Sequence, residues 1–434
     1  MSIDRQAAAS RFRASRARTR MLFDLLDPSV YYERPIALRN PVVFYEGHLP
    51  AFAVNTLIRK GLGRPGIDEH LETIFARGID PDTEAAAVAR GNPAWPAREV
   101  VQQYARAADD LIENAIRTAD LERDDDPLLR DAQALWAILE HEEMHQETLA
   151  YMWHQFPAAV KRAPDGYETQ RVAGSRQWAV GSGKRAETGT VRIPAGAATL
   201  GTATAEFAWD NELPAHVVHV DEFDVDVHDV TNGDYLEYME ATGAPAPPFW
   251  RRGEGEGERE RWLLRTMFED IVLPVDWPVY VTGNEAAAYA RWKGRRLPTE
   301  AEFHRAAFGT PDGTERRYPW GDAIEEGAPP ANFDFVRWDP EAVGSHPEAA
   351  SAFGVQDLVG NGWEWTSTVF APFPGFMPIP SYPEYSADFF DGDHYVIKGA
   401  SPLTARALVR PGFRNWFRPN YPYVYATFRT VGPA

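Results

Sequence analysis

The feature that most constrains the fold is a change in sequence pattern near Pro164. Before it, segments such as MLFDLLDPSVYYE and REVVQQYARAADDLIENAIRTADLE place apolar residues at three- and four-residue spacing, which predicts amphipathic helices. After it, short strand-like runs such as HVVHVDEFDVDVHDV are interrupted by frequent glycine and proline. A chain of 434 residues is also too long for one compact core. We therefore predict an α-helical bundle followed by a separate α+β domain.

We place the bundle at 1–165, a polar, glycine-rich linker at 166–188 and the second domain at 189–434. In the bundle, DPLLRDAQALWAILEHEEMHQETLAYMWHQFP predicts a long helix with Asp126 as its N-cap and Pro157 beyond its end. The arginine-rich N-terminus predicts a solvated first helix. In the second domain, TGNEAAAYARWKG predicts a helix and GEGEGERERW (253–262) a charged, solvated loop.

Composition excludes several classes of function. The formal net charge of −20 argues against nucleic acid or anionic membranes as partners. No apolar run approaches the roughly 18 residues that a membrane-spanning helix needs. The chain has no cysteine, which excludes disulfides, thiolate metal ligands and cysteine nucleophiles. The N-terminus lacks the apolar core of a signal peptide, so we expect a cytoplasmic protein.

The predicted long helix carries H-E-x-x-H, a pattern typical of zinc proteases, at His141, Glu142 and His145. Residues four apart lie on one helix face, so the two imidazoles can share a metal ion. No third histidine follows at the spacing H-E-x-x-H-x-x-G-x-x-H, and His48 in PVVFYEGHLPAF, which could open a second inward-facing helix, is the better third ligand. Three neutral imidazoles with open positions suit iron(II), with zinc as the competitor. Histidines that only pack or face solvent are the remaining alternative.

Four phrases in the second domain resemble formylglycine-generating enzymes, whose fold is C-type-lectin-like. They are RLPTEAEFHRAA (296–307), YPWGD (318–322), DLVGNGWEWTS (357–367) and PGFRNWFRPNYPYVYATFR (411–429). Formylglycine generation uses active-site cysteines, which this chain lacks. The resemblance therefore implies the fold with a different chemistry.

The whole chain, with its histidine-bearing bundle followed by this domain, resembles the ergothioneine-pathway sulfoxide synthases. The resemblance implies a DinB-like bundle whose histidines hold a non-haem iron, and an O2-dependent reaction that joins a sulfur donor to the imidazole C2 of hercynine (trimethylhistidine). It implies that Tyr382 in SYPEYSADFF is catalytic and that Tyr385 lies near the imidazole. It also implies that Asn415 and Trp416 hold the betaine end of hercynine.

The sequence differs from the family at the positions that bind γ-glutamylcysteine in other members. The family's aspartate after the RNW tryptophan is Phe417 here, and an arginine four residues on is Tyr421. Further arginines of the family have no clear match, although Arg90 and Arg98 are nearby in sequence. Aromatic surface suits a sugar better than a charged peptide, which favours the related selenoneine synthases and a selenosugar donor. Met144, in place of an imidazole-binding glutamine, fits a softer selenium-bearing neighbour.

Three alternatives stay open. Within the family, the donor could be cysteine or γ-glutamylcysteine, which would make the protein an ergothioneine sulfoxide synthase. Outside it, a zinc metallohydrolase or a non-catalytic carbohydrate- or peptide-binding module remains. The many Asp and Asn residues of the second domain also allow a structural calcium ion.

Overall fold

The computed structural model describes residues 3–76, 94–167, 189–203, 207–253, 262–325 and 327–434. Two compact units make up the chain. The first contains Met1–Asp165 and the short segment Ile379–Pro383, and the second contains Gly166–Pro378 and Glu384–Ala434. The predicted linker 166–188 and the charged loop 253–262 fall mostly outside the described residues, as does Arg90.

The first unit is helical, as predicted. Its α-helices are α1 (Arg5–Asp24), α2 (Val42–Ala53), α3 (Glu69–Ile74), α4 (Arg98–Thr118) and α5 (Gln133–Trp153), and a π-helical stretch, Val54–Gly61, continues α2. Helix α1 packs against α4 and α5, while α2 packs against α4. Burial of one apolar face of each helix forms the core, which includes Phe12, Val54, Leu57, Ile112, Leu135 and Ile138.

Two details of the helical prediction are wrong. Helix α5 begins at Gln133, not after Asp126, because Asp131 and Ala132 adopt left-handed backbone angles (φ 51° and 57°) that break the helix. The Asp126 carboxylate instead accepts a hydrogen bond from the Leu128 amide and stabilises the preceding turn. Helix α1 is not a solvated helix, since one face, including the side chain of Arg16, is buried.

The second unit combines short sheets with helices, again as predicted. Its strands are β1 (Thr190–Ile193), β2 (Gly196–Leu200), β3 (His216–Val220), β4 (Phe223–Asp226), β5 (Trp250–Arg252), β6 (Trp262–Arg265), β7 (Asp270–Val272), β8 (Gly362–Val369), β9 (Tyr395–Ala400), β10 (Asn415–Phe417), β11 (Ala426–Thr427) and β12 (Val431–Pro433). Its helices are α6 (Asn232–Thr242), α7 (Gly283–Trp292), α8 (Glu300–Phe308) and α9 (Glu384–Ala387). The sheet orders are β1-β4-β12, β2-β3, β5-β6-β7 and β10-β9-β8-β11.

Aromatic and charged groups are buried together in this second unit. Trp363 and Trp365 of β8 are almost completely buried. Beside this strand, the Arg429 guanidinium forms buried ion pairs with Glu364 at 2.7 Å and with Asp229 at 3.2 Å. These pairs satisfy charges that would otherwise be costly to bury. Within the part of the chain that the structure describes, no helix is long and apolar enough to span a membrane.

Candidate metal centre

Acidic side chains of α5 contact α1, and two histidines of the same helix face α2. Glu142 and Glu143 point toward α1, where they form ion pairs of 2.6 Å with Arg16 and Arg11 respectively. Because successive helical residues turn by about 100°, His141 and His145 lie about 160° around the helix from Glu143 and about 60–100° from Glu142. The contacts with α1 therefore fix the rotation of α5 that turns the two histidines toward α2.

The structure brings together the three histidines that the sequence singles out. His48 lies in the middle of α2 and does not open it. One ring nitrogen from each of His48, His141 and His145 lies within 4.8 Å of the other two. The Nδ1 atom of His145 is buried and has no hydrogen-bond partner within the described residues. A buried imidazole nitrogen with an unused lone pair is suited to a metal ion.

The tautomer of His48 is set by a backbone carbonyl. Its Nδ1 lies 2.9 Å from the carbonyl oxygen of Phe75. A carbonyl only accepts hydrogen bonds, so Nδ1 donates and Nε2 keeps the lone pair that can bind a metal. Gly47 permits this approach, because a Cβ at that position would overlap the Phe75 ring.

All three imidazoles are neutral, which is the form that binds metals. Burial lowers the pKa of His48 to about 4, despite its hydrogen bond to Phe75. Burial also lowers the pKa of His141 and of His145 well below the ordinary value, and repulsion between the histidines lowers it further. The residues present therefore fit a divalent ion of the iron or zinc type, because neutral nitrogen ligands suit both.

Tyr382 belongs to the short segment that groups with the helical unit. Its ring centroid lies 6.2 Å from that of His141 and 5.4 Å from that of Phe52. The structure thus places the Tyr382 ring near His141, and the catalytic role of Tyr382 stays a prediction. The contact with Phe52 was not predicted.

The second unit contains the residues expected to hold hercynine. Trp416 on β10 stacks on Phe370, with centroids 4.3 Å apart and planes at 6°. Tyr385 on α9 meets Trp416 edge-on at 5.3 Å. Asn415 begins β10, and its side-chain oxygen accepts a hydrogen bond from the Trp416 amide at 2.9 Å. These contacts fix the ring planes of an aromatic cluster in this unit.

Trp209 is a residue of this cluster that sequence reasoning missed. It is fully buried and stacks on Tyr385 at 4.1 Å. The neighbouring Asp210 accepts a hydrogen bond of 2.5 Å from Ser386, which follows Tyr385 in α9. Only the density of tryptophan in the sequence could have suggested such a cluster.

The residues considered for the donor side have defined surroundings, and their roles there stay predictions. Phe417 and Tyr421 stack on each other, with centroids 5.3 Å apart and planes at 14°. Met144 is half-buried on α5, immediately before His145. Arg98 is engaged within the helical unit, where its Nε lies 3.4 Å from the Glu46 carboxylate and its guanidinium lies over the Tyr31 ring.

A calcium ion in the second unit stays a prediction. Among the described residues, the three histidines form the only group of at least three His, Asp or Glu side chains with ligand atoms this close together. The predicted substrate-binding roles of Met144, Tyr385, Asn415, Trp416, Phe417 and Tyr421 likewise stay predictions.

Comparison with known proteins identifies both parts of the chain. Residues 11–149 match the DinB superfamily, and residues 177–434 match the sulfatase-modifying factor enzyme 1-like domain. The hercynine oxygenase of Mycolicibacterium smegmatis is 32% identical over 438 residues, covering 96% of each chain. The chain belongs to the hercynine oxygenase family. The predictions of this family and of an oxidative enzyme are confirmed.

Two further relatives match this chain over different shares of its length. Ergothioneine biosynthesis protein 1 of Neurospora crassa is 28% identical, covering 92% of this chain but 54% of that protein. The formylglycine-generating enzyme of Streptomyces coelicolor is 32% identical over 228 residues, which cover 43% of this chain. The full-length match to a hercynine oxygenase therefore distinguishes this chain from proteins that share only one domain.

Glu142 is not placed as a general base in this member of the hercynine oxygenase family. Its carboxylate is buried and accepts hydrogen bonds from Arg16 at 2.6 Å and from Thr19 at 2.5 Å. We expect Glu142→Gln to lower the free energy of unfolding by about 1–3 kcal/mol, because a buried charge-assisted pair is weakened. Turnover per metal-loaded protein should be unchanged. Chemical denaturation and product assays test this, and a loss of turnover at full stability would contradict it.

Proposed function

We propose that the protein is an iron- and O2-dependent enzyme that joins a chalcogen donor to the imidazole C2 of hercynine. The observation that carries this proposal is the cluster of three neutral imidazoles, two of them on buried residues and one on a half-buried residue, in a chain of the hercynine oxygenase family. His48, His141 and His145 would hold the iron. When bound, iron(II) supplies a site for O2 and for the one- and two-electron chemistry that a protein side chain cannot perform.

The overall reaction balances with one O2 for each turnover. The C2–H bond of hercynine and the S–H bond of a thiol donor break, and a C2–S bond forms. One oxygen atom enters the product as the sulfoxide, and the other leaves as water together with the two hydrogens. A selenol donor gives the selenoxide with the same stoichiometry.

The chain's own residues bind and orient the substrates. Trp416 offers an aromatic face to a quaternary ammonium group, which can neither donate nor accept a hydrogen bond. We expect Asn415 to support the carboxylate end and Tyr385 to contact the imidazole. Tyr382 carries a phenol close to His141 that can hold or deliver a proton during the reaction.

The comparisons support sulfur as the transferred element. The relatives are named hercynine oxygenase and ergothioneine biosynthesis protein 1, and these names agree with a donor such as cysteine or γ-glutamylcysteine. One observation favours a selenosugar instead. Phe417 and Tyr421 form a stacked aromatic pair. We expect this pair to face the donor, and the carboxylates of a peptide donor would require charged partners instead. The selenosugar, which the sequence favoured, therefore becomes our second candidate.

A donor competition experiment tests the proposal. Protein reconstituted anaerobically with iron(II) is mixed with hercynine and with equal amounts of a selenosugar, γ-glutamylcysteine and cysteine, and O2 is then added. Mass spectrometry identifies the products. Conjugates with the thiols alone would support the sulfoxide synthase, and conjugates with the selenosugar alone would support the second candidate. Absence of any hercynine conjugate, with iron bound, would overturn the proposal.

The aromatic pair gives a further prediction on donor choice. We expect Phe417→Asp combined with Tyr421→Arg to raise the ratio of kcat/KM for γ-glutamylcysteine over a selenosugar by at least about tenfold, because charged partners then replace apolar surface. Phe417→Tyr, which keeps the aromatic ring, is the matched control. An unchanged ratio in the double variant would show that this pair does not face the donor.

A further inference from the structure

Helix α2 carries two phenylalanines that flank a metal-binding histidine at equal spacing. Phe44 and Phe52 lie four residues before and four residues after His48. Residues at this spacing share one helix face. The three rings therefore form a stripe on the side of α2 that faces the histidines of α5.

Each phenylalanine stacks on a different histidine. The Phe44 ring is 4.9 Å from that of His48, with planes at 16°. The Phe52 ring is 3.6 Å from that of His141, with planes at 11°. The second contact joins α2 to α5 and is the closer and more nearly parallel of the two. Stacking of this kind holds the plane of the imidazole and so restricts rotation about its Cβ–Cγ bond.

Phe52 also contacts the tyrosine expected to take part in the reaction. Its centroid lies 5.4 Å from that of Tyr382, with planes at 60°. His141 thus covers one face of the Phe52 ring, and the Tyr382 ring packs against Phe52 with the two ring planes inclined at 60°. A single half-buried side chain therefore touches both a metal-binding histidine and the phenol.

We propose that Phe52 is a positioning residue that fixes the ring plane of His141 and the place of Tyr382 beside it. This rests on the proposed metal centre and extends it to a residue that binds no metal. His48 has a hydrogen bond from Nδ1 to the Phe75 carbonyl to set its orientation. For His141, the stacked ring of Phe52 sets the orientation. A ligand whose ring plane is set before the metal arrives loses less conformational freedom on binding.

Cobalt(II) binding to the metal-free full-length protein tests this inference without any turnover. We expect Phe52→Leu to weaken cobalt(II) binding by about tenfold or more, the scale of losing a partner that orients a ligand. The visible absorption of the bound cobalt(II) should also change, because the ligand geometry changes. Phe52→Tyr keeps the stacked ring and should restore both the affinity and the spectrum.

A variant of a second phenylalanine distinguishes an effect on the position of His141 from a general loss of stability. Phe12 is buried in the core of the same unit, so Phe12→Leu removes comparable packing. This control should lower the melting temperature but leave the cobalt(II) spectrum unchanged. Wild-type affinity and spectrum in Phe52→Leu, or no recovery in Phe52→Tyr, would overturn the inference. Failure of the wild-type protein itself to bind cobalt(II) would instead overturn the proposed metal centre.

Discussion

Replacement of His48 by alanine is expected to abolish tight iron binding and, with it, formation of any hercynine conjugate. His48 supplies one of the three nitrogen atoms that lie within 4.8 Å of one another. With two imidazoles left on α5, the affinity for iron(II) should fall by more than about 100-fold, since loss of a partner that only orients a ligand already costs 10–100-fold. Metal analysis after anaerobic reconstitution and desalting measures the loss directly.

The matched control for this variant is His70→Ala. His70 is an exposed histidine on α3 of the same unit, so the change removes an imidazole without touching the cluster. Melting of the two metal-free variants shows whether the helical unit remains folded. A His48→Ala protein that keeps stoichiometric iron and full turnover would rule out this histidine as a ligand. Stoichiometric zinc, with activity that survives without O2, would instead support the hypothesis of a zinc metallohydrolase.

The second large effect is expected for Tyr382→Phe. This change keeps the ring that packs near Phe52 and His141 but removes the phenolic hydroxyl. If the hydroxyl delivers a proton in the rate-limiting step, conjugate formation should fall by about 10²–10⁴-fold. Iron binding should stay at the wild-type level, because the three histidines and their stacking partners are unchanged. Single-turnover product analysis at equal iron content is the measurement.

Tyr32→Phe is the matched control for the hydroxyl. Tyr32 also lies in the helical unit, but the residue is 48% exposed and its hydroxyl donates to the Pro96 carbonyl at 3.2 Å. We expect this variant to behave as the wild type. Conjugate formation that stays near normal in Tyr382→Phe would contradict a catalytic role, and Tyr382 would then serve only as packing beside His141.

Local sequence patterns were sufficient to predict a helical first unit and the pair of histidines on α5. Four-residue spacing places His141 and His145 together whatever the surrounding fold. His48 was harder to find, because its approach depends on how α2 packs, and only the family resemblance favoured it over other histidines. The position of Tyr382 could not be derived locally either, since a segment distant in sequence groups with the helical unit.

Other features depend on tertiary contacts that periodicity does not encode. Asp126 and Pro127 form a good helix-start signal, yet the left-handed residues Asp131 and Ala132 delay α5 to Gln133. The stacking of Phe52 on His141 joins two helices, so no single segment predicts it. The spacing of Phe44, His48 and Phe52 was nevertheless visible in the sequence, and it becomes informative once histidines are expected on the facing helix.

The buried polar face of α5 has a practical consequence for anyone who redesigns this protein. Glu140, Glu142, Glu143 and Glu147 give the helix the composition of a solvent-facing surface, yet all four side chains are buried. Exchanging them for lysine or alanine to improve solubility or crystallisation would act on an interior interface. Exchange of Glu142 and Glu143 would also remove the ion pairs with α1 that fix the rotation of α5, and with it the direction of His141 and His145. On this helix, charged residues do not mark the solvent-exposed surface.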